Sequence, residues 1–395
     1  MSTLRQLFLS RVAQTTDFPL LLEIERAEGI YLYDTKGKQY IDLISGISVS
    51  NVGHCHPKVV KAVQEQAEKF MFLMVYGEYV YAPHVRFADY LCKQLPSSLD
   101  RVYFVNSGSE AVEGAMKTAK KYTGRAEIIH FKNSYHGSSH GALSVMGNEY
   151  FKNPFRPLLP GIKALEYNNP EQLDEISTDT ACVIAEPVQA ESGIHPASEA
   201  FMKKLRKKCD ETGALLILDE IQTGMGRTGT LFAFEQYGIV PDILLSAKSL
   251  GGGMPIGAFI TSSAIMSCLK ENPILGHITT FGGHPVSCRA GHAALEILLE
   301  EGHIDQVEEK GKYLENLLQH PSILAKRRKG LMMSLEFENF EQNKRIIDAC
   351  IEKGVVTDWF LFSDKCMRIG PPLIISFEQL KNAAEIIIKA IEQNA

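Results

Sequence analysis

Two short apolar runs, residues 215–218 and 243–245, constrain this chain more than any other feature. The first, Leu-Leu-Ile-Leu, runs into Asp219. The second, Ile-Leu-Leu, is followed by Ser-Ala, Lys248 and three glycines at 251–253. Runs this short, apolar without alternation, read as strands buried on both faces, as in a parallel sheet covered by helices. The charged residue then stands at the carboxyl edge, where open α/β sheets bind their ligands.

The surrounding pattern predicts more of the same. Candidate strands cover 102–105, 128–131, 182–185 and 258–261, with helices over 111–122 and 198–212. That alternation predicts an α/β fold with a mostly parallel sheet. Before it come an amphipathic arm over 1–20, a hairpin turning at Lys36-Gly37, a helix from Pro57 to about 70 and another over 84–95. After Pro285 the texture predicts a long apolar-striped helix, a polar helix over 304–320, a strand over 331–337, then helix, strand and helix. A chain of 395 residues exceeds one small core. We divide it into an arm and hairpin (1–50), a large α/β domain (51–285) and an α+β domain (286–395), the first packing with the last.

Charge and cysteines exclude several function classes. A net charge of −6 argues against a nucleic-acid or anionic-membrane surface. The eight cysteines form no C-x-x-C pair, so neither a zinc ribbon nor a dithiol motif is indicated. The opening MSTLRQLFLSRVAQTT lacks a long apolar core and a cleavage site. The expectation is no secretory signal, no membrane span and no metal, with free thiols in a reducing cytoplasm.

A carboxylate and an amine at neighbouring strand ends suit pyridoxal 5′-phosphate, whose aldehyde needs a lysine and whose ring nitrogen needs an acid. Asp219 serves that role, or a helix cap, or an ion pair. Lys248 is a nucleophile if burial lowers its pKa and a solvated surface amine otherwise. Asn106-Ser107-Gly108-Ser109-Glu110 lies between strand and helix, where free N–H groups suit a phosphate; Ser107-x-x-Glu110 also fits a capping box, and both uses share the same donors. Tyr135 and His136 open a loop after a strand, placed for an aromatic to cover a cofactor ring with a histidine beside it, or for a buried loop aromatic. Glu186 and Glu191 follow another strand end, and Gln222 lies three residues beyond Asp219. Thr279-Thr280-Phe281-Gly282-Gly283 is a second loop suited to phosphate. Arg368 is the residue type for bidentate carboxylate binding or for a salt bridge. Residues 224–229 spell G-x-G-x-x-G, the dinucleotide fingerprint, but no strand runs straight into the first glycine, so a nicotinamide-dependent dehydrogenase is the distant alternative.

In order and spacing, YLYDTKGKQYIDLISGISVSNVGHCHPKV, NSGSEA, YHG, EPVQAE, LDEIQTGMGRTG, AKSLGGGMPIGA, TTFGGHP and MRIGPPL resemble the class III (ω-amino) aminotransferases. These are fold-type-I pyridoxal-phosphate enzymes, and the branch most resembled is that of the acetylornithine/ornithine aminotransferases. The resemblance implies a seven-stranded, mostly parallel sheet in the large domain. It makes Lys248 the Schiff-base lysine, Asp219 the partner of the pyridine nitrogen, Tyr135 the stacking aromatic with His136 beside it, Gly108 and Ser109 the phosphate cup, and Gln222 the partner of the ring hydroxyl. Thr280 resembles a phosphate ligand reaching in from the neighbouring subunit, which implies a homodimer with shared active sites. Glu191 resembles the acid that pairs with a carboxylate-binding arginine, here Arg368.

The implied reaction moves a terminal amino group from an acetylornithine- or ornithine-type donor to 2-oxoglutarate, giving a semialdehyde and glutamate. Donors such as γ-aminobutyrate, putrescine or a β-amino acid, and an aminomutase reaction, are the alternatives. This chain departs from the branch at two positions. Ser138 stands where an arginine usually holds the substrate's far carboxylate, and Gln189-Ala190-Glu191 stands where Gln-Gly-Glu is usual.

Overall fold

The computed structural model describes residues 3–75 and 77–394. In chain order the first strands are β1 (Ile24–Glu28), β2 (Tyr31–Asp34) and β3 (Gln39–Asp42). Then come β4 (Arg101–Val105), β5 (Glu127–Phe131), β6 (Ile162–Leu165), β7 (Thr180–Ala185), β8 (Val188–Gln189), β9 (His195–Pro196), β10 (Leu215–Asp219), β11 (Ile243–Ser246) and β12 (Gly257–Thr261). The last are β13 (Ala325–Lys329), β14 (Met332–Glu336), β15 (Val355–Val356), β16 (Asp358–Phe360) and β17 (Ser363–Ile369).

The two apolar runs lie side by side. β10 and β11 pair in parallel, with Asp219 opposite Leu245, inside a seven-stranded sheet ordered β4-β12-β11-β10-β7-β5-β6. Only β12 runs against its neighbours. Side chains alternate between two buried layers, so every second residue of β10 joins the same core. Leu216 and Leu218 enter the larger one with Phe201, Leu205 and Leu295; Leu215 and Ile217 enter the other with Ala111, Val112 and Ala115. Burial on both faces explains why these runs are apolar throughout.

The flanking helices follow their sequence signals. Gly108–Thr123 begins at the N-cap Ser107 and stops at Gly124, whose φ of 71° is left-handed. Glu199–Thr212 starts after Ser198 and ends at Gly213 in the same way. Pro57–Lys69 and Pro285–Glu300 both open on proline, which lacks the N–H that a first turn leaves unpaired.

Around this layer stand three smaller sheets. β1, β2 and β3 form the expected hairpin and its neighbour, and β15 adds in parallel to β3, joining the two ends of the chain. β13-β14-β17-β16 is antiparallel throughout. β8 and β9 form a small ribbon just beyond β7.

The structure departs from the sequence reading in four places. β6 carries a lysine in four residues and is half-exposed at the sheet edge, so it has no apolar run to announce it. β13, Ala-Lys-Arg-Arg-Lys, looks like a solvated basic stretch but pairs along its whole length with β14. The polar helix over 304–320 is a 3₁₀ turn (Ile304–Gln306) followed by a helix over Val307–Leu317. In the arm, the expected amphipathic pattern is not found: the helix Leu4–Arg11 gathers no apolar face and has no buried residue, and its Arg5 pairs with Glu23 (3.2 Å).

Candidate active site

Most of the candidate side chains follow the carboxyl end of a strand, while Arg368 lies within β17. After β4, Ser107 Oγ accepts the N–H of Glu110 (3.2 Å), a true N-cap. The capping box does not close, because Glu110 turns its carboxylate to the N–H and side-chain amide of Asn106 (2.8 and 2.9 Å). The helix start is drawn tight against two other loops. A Cβ on Gly108 would stand 2.9 Å from Ile221 Cδ1, and one on Gly137 would stand 2.2 Å from Ser109 Oγ. Gly137 also has a φ of 127°, so only glycine serves there. Ser138 N–H donates to Ser109 Oγ (3.3 Å), which ties the loop after β5 to the helix start.

Asp219 closes the floor. Its Oδ1 accepts the N–H of Ile221 (3.1 Å), and its Oδ2 lies 2.7 Å from His136 Nδ1. Both side chains are buried. Burial there is tolerated because each carboxylate oxygen has a donor. Glu186, at the end of β7, accepts the N–H of Tyr135 (2.9 Å) and that of Ala190 (3.4 Å). Burial, with the charge of Asp219 nearby, pushes the Glu186 carboxyl well above the usual range. Its two accepted N–H groups pin the Tyr135 loop to the end of β7.

Lys248 follows β11 with a φ of 48°, in the left-handed region that a lysine rarely adopts. Such a backbone costs about 1–3 kcal/mol and is held only where packing over-determines it. The strain aims the side chain into the cavity instead of along the strand edge. Loss of solvation lowers the Lys248 pKa, and the Arg368 charge acts in the same direction, against the opposing pull of Glu191 and Asp219. Its amino group makes no hydrogen bond or ion pair among the described residues.

The cavity between these groups measures about 430 Å³. Gly108, Ser109, Tyr135, His136, Asp219, Gln222 and Lys248 all line it. Beside it, Gln222 Nε2 donates to Glu191 Oε1 (3.1 Å), and Glu191 receives both arms of Arg368, Nη1 at 2.9 Å and Nη2 at 3.0 Å. Burial alone would raise the Glu191 carboxyl; the guanidinium outweighs it and holds the pKa at about 2. Ser138 sits next to the Tyr135 hydroxyl (3.3 Å), and Phe362 faces the Tyr135 ring with centroids 6.2 Å apart. Where an arginine would stand, the outer wall is a hydroxyl and aromatic rings.

One predicted residue is not brought in. Thr280 is exposed and does not line this chain's cavity, although its neighbour Thr279 is held to Asn106 (2.9 Å). The G-x-G-x-x-G stretch is also elsewhere: residues 220–223 separate it from β10, and a Cβ at Gly226 would strike Ile304 and Leu373. It is a packing turn, with no helix opening at its last glycine. Sequence reasoning passed over Val49, Ile221 and 254–256, which line the cavity, and Asp358, which lies against Arg368. Ile221 was in view inside its motif; Asp358 carries no local signal.

The family profile described as "Aminotransferase class-III" matches residues 12–391. The chain belongs to the class-III aminotransferases. Among its relatives, the acetylornithine aminotransferase of Methanocaldococcus jannaschii is 41% identical over 378 residues, 93% of this chain and 91% of that protein. That of Clostridium acetobutylicum is 38% identical over 381 residues, 93% of this chain and 96% of that one. The ornithine aminotransferase of Toxoplasma gondii, crystallised with partial occupancy of pyridoxal phosphate, superposes with a TM-score of 0.91 at 29% identity, covering 98% of this chain and 93% of that one.

Class-III aminotransferases work with pyridoxal 5′-phosphate, and the residues present fit that group. The cavity has an unpartnered amine, a fixed carboxylate and a helix N-terminus on its walls, and glycines 108 and 137 keep the last of these open. No cluster of metal-ligating side chains occurs among the described residues, and no helix there is long and apolar enough to cross a membrane.

Proposed function

We propose that this class-III aminotransferase takes the terminal amino group of an acetylornithine-type donor and passes it to 2-oxoglutarate. The observation that carries this reading is the buried Glu191–Arg368 pair beside the unpartnered Lys248. A neutral pair accepts a donor whose amine end bears no carboxylate; an opened pair offers a guanidinium to a 2-oxo acid. The acetylornithine aminotransferases at 38–41% identity support the donor class.

Roles follow from placement. The N–H groups of Gly108 and Ser109 receive the phosphate at the positive end of a helix. Asp219, steadied by His136, holds a proton on the ring nitrogen. Tyr135 covers the ring, and Gln222 reaches its hydroxyl. When bound, the coenzyme supplies an aldehyde that captures the amine and a ring that draws electrons from the adjacent carbon. Lys248 holds the coenzyme in the resting enzyme, and its lowered pKa lets the freed amine take and return a proton at the substrate carbon. Glu191 and Arg368 sort the two substrates.

The enzyme acts as a homodimer in this reading. The loops over 70–75, 77–81 and 272–281 expose Met71, Phe72, Val80, Ile274 and Phe281, and the rings of Phe72 and Phe281 touch at 5.0 Å. An apolar patch of this kind marks an interface, and it carries Thr280 toward the second copy's phosphate site. The eight cysteines, free of disulfides among the described residues, suit a reducing cytoplasm.

The test is a panel of donors: acetylornithine, succinylornithine, ornithine, γ-aminobutyrate and putrescine, with 2-oxoglutarate as acceptor and glutamate as the measured product. Acetylornithine should give the largest kcat/KM. Turnover with none of them sinks the reading; a clear preference for another amine corrects the donor and leaves the chemistry standing.

A further inference from the structure

Arg368 has a second carboxylate. Asp358 lies directly opposite it in the register between β16 and β17, so the two side chains share a face of the sheet. Asp358 Oδ1 stands 3.0 Å from Arg368 Nε. That N–H points off the oxygen, so the contact is ionic and not a directed hydrogen bond. The other edge of the guanidinium holds Glu191 through Nη1 and Nη2, and Nη2 also donates to the Trp359 carbonyl (3.0 Å).

A guanidinium presents its donors in a rigid planar fork. Its two edges are therefore independent, and exchanging the anion on the Nη edge leaves the Nε edge in place. The two acids differ in how they are held. Glu191 sits in the turn between β8 and β9, while Asp358 belongs to a strand paired with β17. Were Glu191 the sole counter-ion, its departure would leave a buried bare cation, the costly state for any ion pair.

Resting on the aminotransferase reading above, we propose that Asp358 is the fixed counter-ion of Arg368, a positioning residue that keeps the guanidinium aimed while Glu191 gives way to the carboxylate of the 2-oxo acid. Asp358 never touches substrate. It acts through Arg368, and only in the half of the cycle in which a carboxylate must be captured.

The experiment compares the wild-type holoenzyme with Asp358→Asn, and with Asp358→Ser as a second variant. Calorimetry with glutarate, an inert dicarboxylate, reads capture directly, and the two half-reactions are followed separately in single turnovers. In both variants glutarate binding should weaken about tenfold, the scale of one charge-assisted contact. Reaction with 2-oxoglutarate should slow to match, while the half-reaction with acetylornithine, whose amine end bears no carboxylate and leaves the Glu191–Arg368 pair closed, should stay within about twofold. Unchanged or tighter glutarate binding overturns the proposal. So does an equal loss in both halves, or failure of both variants to fold, since either gives Asp358 a purely structural role. If the wild-type enzyme performs neither half-reaction, it is the aminotransferase reading that fails.

Discussion

His136 Nδ1 lies 2.7 Å from Asp219 Oδ2, across 83 positions of sequence. The contact joins the loop after β5 to the end of β10 and leaves Asp219 no freedom to turn. His136 Nε2 is buried with no partner among the described residues, so the ring's one tie is to this carboxylate.

Replacing His136 with alanine should therefore loosen Asp219 without removing it. A hydrogen bond to a charged group contributes roughly 1.5–3 kcal/mol. We expect the coenzyme dissociation constant, followed by fluorescence quenching, to rise about 10- to 100-fold on that scale. An unaltered constant would show that Asp219 is held well enough by the Ile221 N–H alone.

In the proposed function, Lys248→Ala removes both the covalent hold on the coenzyme and the proton carrier. General acid–base catalysis alone is worth about 10²–10⁴-fold, so turnover should fall below detection. Borohydride treatment followed by peptide mapping should fix the coenzyme to residue 248 in the wild-type enzyme and nowhere in the variant. Near-normal turnover would refute the assignment.

Ser138→Arg introduces the cation that this outer wall lacks. Its guanidinium would reach the region bordered by Tyr135 and Phe362. Donors that carry a far carboxylate should gain about tenfold or more in kcat/KM, and putrescine should gain nothing. Equal effects on both classes would mean that the substrate's far end lies elsewhere.

The Glu191–Arg368 pair sets a pH window. Glu191 titrates at about 2 in the fold against an ordinary 4.5. A depressed carboxyl contributes stability that is fully present above 4.5 and lost as pH falls through about 2. Glu186 has the opposite sign, since its raised pKa stabilises the fold on the acid side and that contribution fades as pH rises. Urea midpoints near pH 5 and about pH 3 should thus differ less for Glu191→Gln than for the wild type. Parallel losses would remove Glu191 from the acid response.

The proposed sharing of sites across a dimer is open to a complementation test. Lys248→Ala and Thr280→Ala homodimers should each be impaired, yet a mixture refolded together should regain activity. A hybrid has one site with its own Lys248 and its partner's Thr280 intact, so random pairing restores roughly a quarter of wild-type activity. A mixture no more active than its parents would place Thr280 outside the neighbouring site.

Much of this fold was legible because its signals are local. Apolar runs ending in Asp219 and toward Lys248 announce strands buried on both faces, since an interior sheet admits few charges except at its ends. The caps at Ser107 and Ser198, and the prolines at 57 and 285, mark helix starts through backbone chemistry that spans one turn. β6 and β13 escaped because each trades the apolar pattern for pairing, and pairing depends on a neighbour that a local window does not contain.

By itself the sequence determined which residues stand at the carboxyl ends of β4, β5, β7, β10 and β11, and hence Asp219 and Lys248 as the candidate reactive pair. The Glu191–Arg368 pair was implied by resemblance, and the structure supplies its two-armed geometry; only the tertiary structure decided that Asp358 backs the same guanidinium, that β15 closes on β3, and that Lys248 leaves its strand through a left-handed turn. The physical reason is one of range. Hydrophobic period and capping act over a few residues, whereas the cost of closing a chain between distant partners grows so slowly with length that their separation says almost nothing about which partners meet.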